Sequence, residues 1–150
     1  MSQALAGAED VLDHVIRPLV DSRSPFRILV VEDEPVIREL VRSMLDDGPV
    51  EVETAGSGPE GLRRAKESRF DLVLLDVVLP GMDGLTVCRM LKADATTAAV
   101  PLYMLTAKTL RADLEAALAA GANGYIHKPF RGSELMELVE RLRTGEVAPG

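Results

Sequence analysis

Five polar residues in this chain stand where the surrounding hydropathy calls for apolar ones. Glu32 and Asp33 close the run ILVV, Asp76 closes LVLL, Thr106 closes LYML, and Lys128 follows the short run GYI after a single histidine. An uncompensated carboxylate beside a strand buried on both faces is costly, so Asp76 in particular needs a chemical reason. Two carboxylates about 4 Å apart repel by about 4 kcal/mol at an effective dielectric of 20. Three brought together do not all stay ionised unless something positive sits among them. Lys128 is the one cation in this set, and a hard divalent ion is the natural remainder. Magnesium takes oxygen ligands, is held by one or two carboxylates, and keeps waters that phosphate oxygens can replace.

Whether these residues meet depends on the elements that carry them. From Arg27 onward short apolar runs alternate with helical patterns: RILVVE then EPVIRELVRSML, VEVETA then PEGLRRAKE, DLVLLD then GLTVCRMLK, VPLYMLT then TLRADLEAALAA, GYI then SELMELVERLR. Such alternation predicts an α/β doubly wound fold around a parallel sheet. In an open sheet of this kind ligands bind beyond the carboxyl ends of the strands, which is where all five residues fall. Local punctuation agrees: Ser57 and Glu60 form a capping box, Pro35 suits a first helical turn, and Gly121 suits a helix C-terminus.

The 150 residues allow one domain with a real core, and no tandem repeat is visible. Hydrophobic residues at 47% and charged residues at 27% are those of an ordinary globular protein, and 3% aromatics make the expected core aliphatic. With 17 basic against 24 acidic residues the net charge is −7, which argues against direct nucleic-acid binding and for a protein partner. Cys88 is the only cysteine, so no internal disulfide forms, and a small buried side chain on a helix is the expectation. No secretory leader pattern or membrane-length apolar stretch is present, and a cytoplasmic location without membrane association is expected.

Residues 1–25 stand apart from the alternation. Leu5, Val11, Leu12, Val15, Ile16 and Leu19 recur at helical spacing, and Pro18 should end or kink such a helix before the SRSP linker. Two readings are open: an appended amphipathic helix, or a partly disordered leader.

In this order and at these strand ends, VVEDEP, LLDVVLPGMDG, LTA and GANGYIHKPF resemble the receiver domain of two-component response regulators, from about Phe26 to Arg143. The resemblance implies a flavodoxin-like (βα)5 sheet in the order 2-1-3-4-5, with residues 1–25 as an extension and 144–150 as a tail. Glu32 and Asp33 resemble the acidic pair that holds magnesium, and the backbone carbonyl of Val78 would be a further metal ligand beside Asp76. Asp76 resembles the phosphoacceptor, Thr106 and Lys128 the residues that bind phosphoryl oxygens, and Tyr125 the aromatic switch. A cis peptide would map onto Lys128–Pro129.

The implied function is phosphoacceptance from a phosphohistidine, with no turnover substrate. Asp76 would be the nucleophile, Lys128 would neutralise part of the incoming charge, and Thr106 would donate to a phosphoryl oxygen. Movement of Thr106 would then vacate space for Tyr125 and change the surface of the fourth helix, fifth strand and fifth helix, where a downstream protein target would bind. A histidine kinase or histidine phosphotransfer protein is the implied upstream partner.

Departures and rivals remain on the same residues. Glu32 stands where the family more often has Asp. Val78 and Lys108 occupy hydrolysis-tuning positions, and neither is an obvious general base, so a moderately long-lived phosphoaspartate is expected. Ala107 should leave the site open. Only TGEVAPG follows Arg143, so a single-domain receiver is expected, although a truncated longer regulator would look the same. The N-terminal segment is expected to add a dimer contact or cover the receiver surface, and His14 to be an ordinary surface or packed histidine. Singly, Asp33 reads as a helix cap, Asp76 as a turn aspartate, Thr106 as a β-branched strand residue and Lys128 as solvated. The competing functions are a phosphorylation-independent interaction module, an aspartyl phosphatase, for which Val78 replaces the needed second aspartate, and a flavin site, which EDEP disfavours by its charge.

Overall fold

The structure, a computed structural model, describes residues 24–145. Five strands, β1 (Phe26–Val31), β2 (Val50–Ala55), β3 (Leu72–Asp76), β4 (Leu102–Thr106) and β5 (Gly124–His127), alternate with five helices. The helices are α1 (Pro35–Leu45), α2 (Gly58–Glu67), α3 (Gly84–Ala93), α4 (Arg111–Ala119) and α5 (Gly132–Arg143). The strands form one parallel sheet in the order β2-β1-β3-β4-β5. This is the doubly wound, flavodoxin-like arrangement expected from the alternation and the resemblance. The N-terminal helix or leader and His14 lie outside the described residues.

Burial follows position in the sheet. Every residue of β3 and β4 is buried, as strands covered on both faces must be, whereas β2 and β5 at the edges include exposed residues. Because strand side chains alternate, each strand feeds two cores. Ile28, Val30, Leu72, Leu74 and Leu105 pack under α1 and α5, while Leu29, Val31, Val73, Leu75 and Met104 pack under α2, α3 and α4. Cys88 is fully buried in the second core, as expected.

Two glycines matter to the site's surroundings. Gly121 follows α4 at φ +108°, a conformation that L side chains resist, and ends that helix with its N–H on the Leu118 carbonyl. At Gly84 an added Cβ would overlap the Asp76 carbonyl oxygen and lie 2.8 Å from Val77 Cα. The first turn of α3 is therefore seated directly against the end of β3, held by Gly84 N–H on the Val77 carbonyl at 2.9 Å. The capping box closes one residue earlier than expected. Ser57 Oγ accepts from Glu60 N–H at 3.3 Å, but the Glu60 carboxylate takes the N–H of Gly56, at 2.8 Å, in place of that of Ser57. Among the described residues no helix is long and apolar enough to cross a membrane.

Candidate functional site

The buried apolar runs of β1 and β3 lie side by side, with Val31 opposite Leu75, so Glu32 and Asp76 leave adjacent strands at the same rim. One carboxylate oxygen from each of Glu32, Asp33 and Asp76 falls within 4.8 Å of the others. Glu32 is fully buried and Asp76 nearly so, whereas Asp33 is accessible to solvent. The Lys128 ammonium bridges two of the three, donating to Glu32 Oε1 at 2.7 Å and to Asp76 Oδ2 at 2.9 Å. The Lys128–Pro129 peptide is cis.

The remaining atoms of these groups are held by backbone. Glu32 Oε2 accepts the Glu34 N–H at 3.2 Å, and Asp76 Oδ1 accepts the Val78 N–H at 3.0 Å. Asp76 thus makes the turn contact of the blander reading and the lysine contact of the chemical one. Thr106, at the end of β4, is buried; its hydroxyl oxygen accepts the Lys108 N–H at 2.9 Å, which leaves its own proton free to be donated. The Lys128 N–H donates to the Thr106 carbonyl at 2.8 Å, tying the two loops together.

Burial is the main influence on Glu32: it raises the carboxyl pKa to about 6, assisted by the charge of Asp76 and opposed by the Lys128 hydrogen bond. Burial alone would lower the pKa of Lys128, but its hydrogen bonds to Glu32 and Asp76 outweigh that and hold it above the ordinary value. The amine is therefore charged at neutral pH. Three carboxylates thus face one ammonium at this rim.

The donor set fits a magnesium ion. Among the described residues the Asp33 carboxylate accepts no hydrogen bond, and it does not cap α1, whose N-cap is Glu34 without a side-chain contact. The Val78 carbonyl also meets no donor among the described residues, while its side chain is 60% exposed. A free carboxylate, a free carbonyl and two anchored carboxylates are hard oxygen ligands of the kind this ion takes.

Tyr125 lies apart from the cluster. It is on the edge strand β5 opposite Met104, 36% exposed, with its ring edge-on to His127 at 5.6 Å between centroids. One contributor escaped the sequence reading. Arg38, one turn into α1, donates to the carbonyls of Glu32 at 2.9 Å and Asp33 at 3.1 Å, bracing the loop that carries both acids. An arginine on a helix gives no sign of this in sequence, because the contact depends on how the loop folds back.

The fold and this rim define a class of protein. The chain belongs to the response regulator receiver domain family, whose model matches residues 28–140. The DNA-binding response regulator MtrA of Mycolicibacterium smegmatis is 44% identical over 124 residues, which cover 82% of this chain and 53% of that protein. The transcriptional regulatory protein ResD of Bacillus subtilis is 37% identical over 123 residues, covering 82% and 50% respectively. The chain therefore spans about half the length of these curated relatives. Among solved structures, the chemotaxis protein CheY4 of Vibrio cholerae matches with a TM-score of 0.75 at 33% identity, over 79% of this chain and 99% of that one. The receiver domain of a sensor histidine kinase from Pseudomonas aeruginosa PAO1, solved with magnesium coordinated in its active-site cleft, gives 0.74 at 35% identity, over 81% and 99%.

Proposed function

We propose that this chain is a phosphoacceptor, in which Asp76 takes a phosphoryl group from a phosphohistidine on a histidine kinase or histidine phosphotransfer protein. The observation that carries this reading is the placement of Asp76 at the end of β3, with Oδ2 2.9 Å from the Lys128 ammonium and two further carboxylates beside it. In the transfer, an Asp76 oxygen forms a bond to phosphorus as the phosphorus–nitrogen bond of the donor breaks, and the imidazole leaves. Little covalent chemistry falls to the protein, so positioning and charge stabilisation supply most of the rate.

Lys128 already touches Asp76 and would follow the arriving charge, exchanging a carboxylate oxygen for a phosphoryl oxygen. Thr106 has an unspent hydroxyl proton for another phosphoryl oxygen. Glu32, Asp33, Asp76 and the Val78 carbonyl would hold magnesium. When bound, that ion neutralises the excess negative charge and screens the incoming phosphoryl group. The turn of Thr106 toward the phosphoryl group and a matching inward move of Tyr125 would carry the signal to the face of α4, β5 and α5, where a protein target would bind.

Incubation with acetyl phosphate and magnesium, followed by intact mass, tests the reading. One phosphoryl adduct that requires magnesium is expected, persisting beyond seconds because neither Val78 nor Lys108 supplies a base for water. A folded protein that binds magnesium and takes no adduct would favour the phosphorylation-independent interaction module, and catalytic turnover of phosphate esters would favour the aspartyl phosphatase.

A further inference from the structure

The acidic residues of the rim differ in how they are held. Both carboxylate oxygens of Glu32 are occupied, one by Lys128 and one by the Glu34 N–H, and those of Asp76 by Lys128 and the Val78 N–H. The Asp33 carboxylate has no donor among the described residues, so its place is set by the backbone that carries it. That backbone has few ties of its own. The Glu32 N–H reaches the Ala55 carbonyl at 3.0 Å, and the Glu34 carbonyl accepts the Arg38 N–H at 3.0 Å as α1 begins. Between these two points, among the described residues, no backbone N–H meets the carbonyls of Glu32 and Asp33, and Pro35 has none to offer.

Arg38 fills this gap from the side. Its Nη1 donates to the Glu32 carbonyl at 2.9 Å and to the Asp33 carbonyl at 3.1 Å. The side chain is half-buried and makes no ion pair with a carboxylate among the described residues. We propose that Arg38 is a positioning residue for the metal site, fixing the loop from which Glu32 and Asp33 project so that the Asp33 carboxylate is already in place when magnesium arrives. The inference rests on the phosphoacceptor reading of the rim and adds to it a residue that acts through the loop backbone. Two effects of opposite sign separate this role from a mere charge. Arg38 is a cation close behind a cation site, so an influence through space would make its removal strengthen magnesium binding. Holding the two carbonyls has the reverse consequence: without the guanidinium the ion must order the loop as it binds, and affinity falls.

The test is magnesium affinity by isothermal titration calorimetry on the full chain, native against Arg38→Met. Methionine keeps much of the apolar stem and has no N–H to donate. Binding about tenfold weaker is expected, the size usual when a group supporting metal ligands is removed. Unchanged or tighter binding overturns the proposal. Where Arg38→Met does not fold, Arg38→Gln, whose amide nitrogen sits where arginine has Nε and falls short of both carbonyls, carries the same expectation. Phosphorylation by acetyl phosphate gives a second readout. In Arg38→Met the half-saturating magnesium concentration should rise by the same factor while the rate at saturating magnesium stays near native. A lower maximal rate at an unchanged half-saturation would assign Arg38 to the fold and contradict the positioning role. If the native chain takes no adduct, the phosphoacceptor reading falls, and the calorimetry alone upholds or overturns the role of Arg38.

Discussion

At the scale of single residues, the site holds more negative charge than its one amine can balance. Removing the Lys128 ammonium leaves buried Glu32 and Asp76 facing each other, and breaking such a pair costs about 3–5 kcal/mol. Lys128→Met should lower the urea midpoint accordingly, with magnesium restoring part of the loss; an unchanged midpoint would show the amine to be solvated and idle. Glu32→Gln should act in the opposite sense. Burial raises the Glu32 pKa from 4.5 to about 6, so at pH 7.5 the ionised form is held at a cost of roughly 2 kcal/mol that glutamine avoids. In magnesium-free buffer this variant should be more stable than the native chain and bind magnesium more weakly, and a less stable variant would contradict the charge excess. The strand-end positions of Glu32, Asp76, Thr106 and Lys128 were legible because each interrupts an apolar run. Arg38 was not, since its partners are backbone carbonyls of a loop.

At the scale of elements, the seating of α3 against β3 connects fold to site. Gly84→Ala places a methyl group onto the Asp76 carbonyl, where only backbone can move, and should cost several kcal/mol while displacing Asp76. A thermal melt and phosphorylation rate measured together would check this; native behaviour in both would mean the helix can retreat freely. The caps set a dependence on acid. Glu60, through the Gly56 N–H, and Asp83, through the Thr86 N–H, have pKa values below their ordinary 4.5 and 3.8. Their stabilisation is complete above those ordinary values and is lost as pH falls through the lower folded ones. Glu60→Gln should therefore flatten the acid side of the stability curve, and a curve parallel to the native one would deny the cap a role. Element boundaries were less legible than element types. The fourth helix starts at Arg111, not at Thr109, because Leu110 has extended backbone angles and no side chain caps that end. The fifth strand runs one residue beyond GYI because His127 pairs with Thr106.

At the scale of the molecule, winding the chain on both faces of one parallel sheet gathers residues distant in sequence. Lys128 and Glu32 are 96 positions apart, yet they meet because parallel strands all end at the same side. The architecture was legible from five repeats of strand and helix, and the family match over residues 28–140 agrees with it. The switch role proposed for Tyr125 had no comparable signal, since an aromatic residue on an edge strand is usually just packed. Magnesium bound only to the folded chain should stabilise the whole domain by about 2.7 kcal/mol at a hundredfold excess over its dissociation constant. Asp33→Asn should remove most of that gain without changing the metal-free melt much, because the Asp33 carboxylate has no protein donor among the described residues to lose. An undiminished gain would move the metal elsewhere.

The central claim is that Asp76 is the acceptor, and reductive trapping addresses it most directly. The chain would be phosphorylated with acetyl phosphate and magnesium, reduced with borohydride so that any acyl phosphate becomes an alcohol, and mapped by peptide mass. Conversion of Asp76 alone to homoserine is the predicted result. Homoserine at Asp33 or another acidic residue, or none in a sample that carries the adduct, would contradict it.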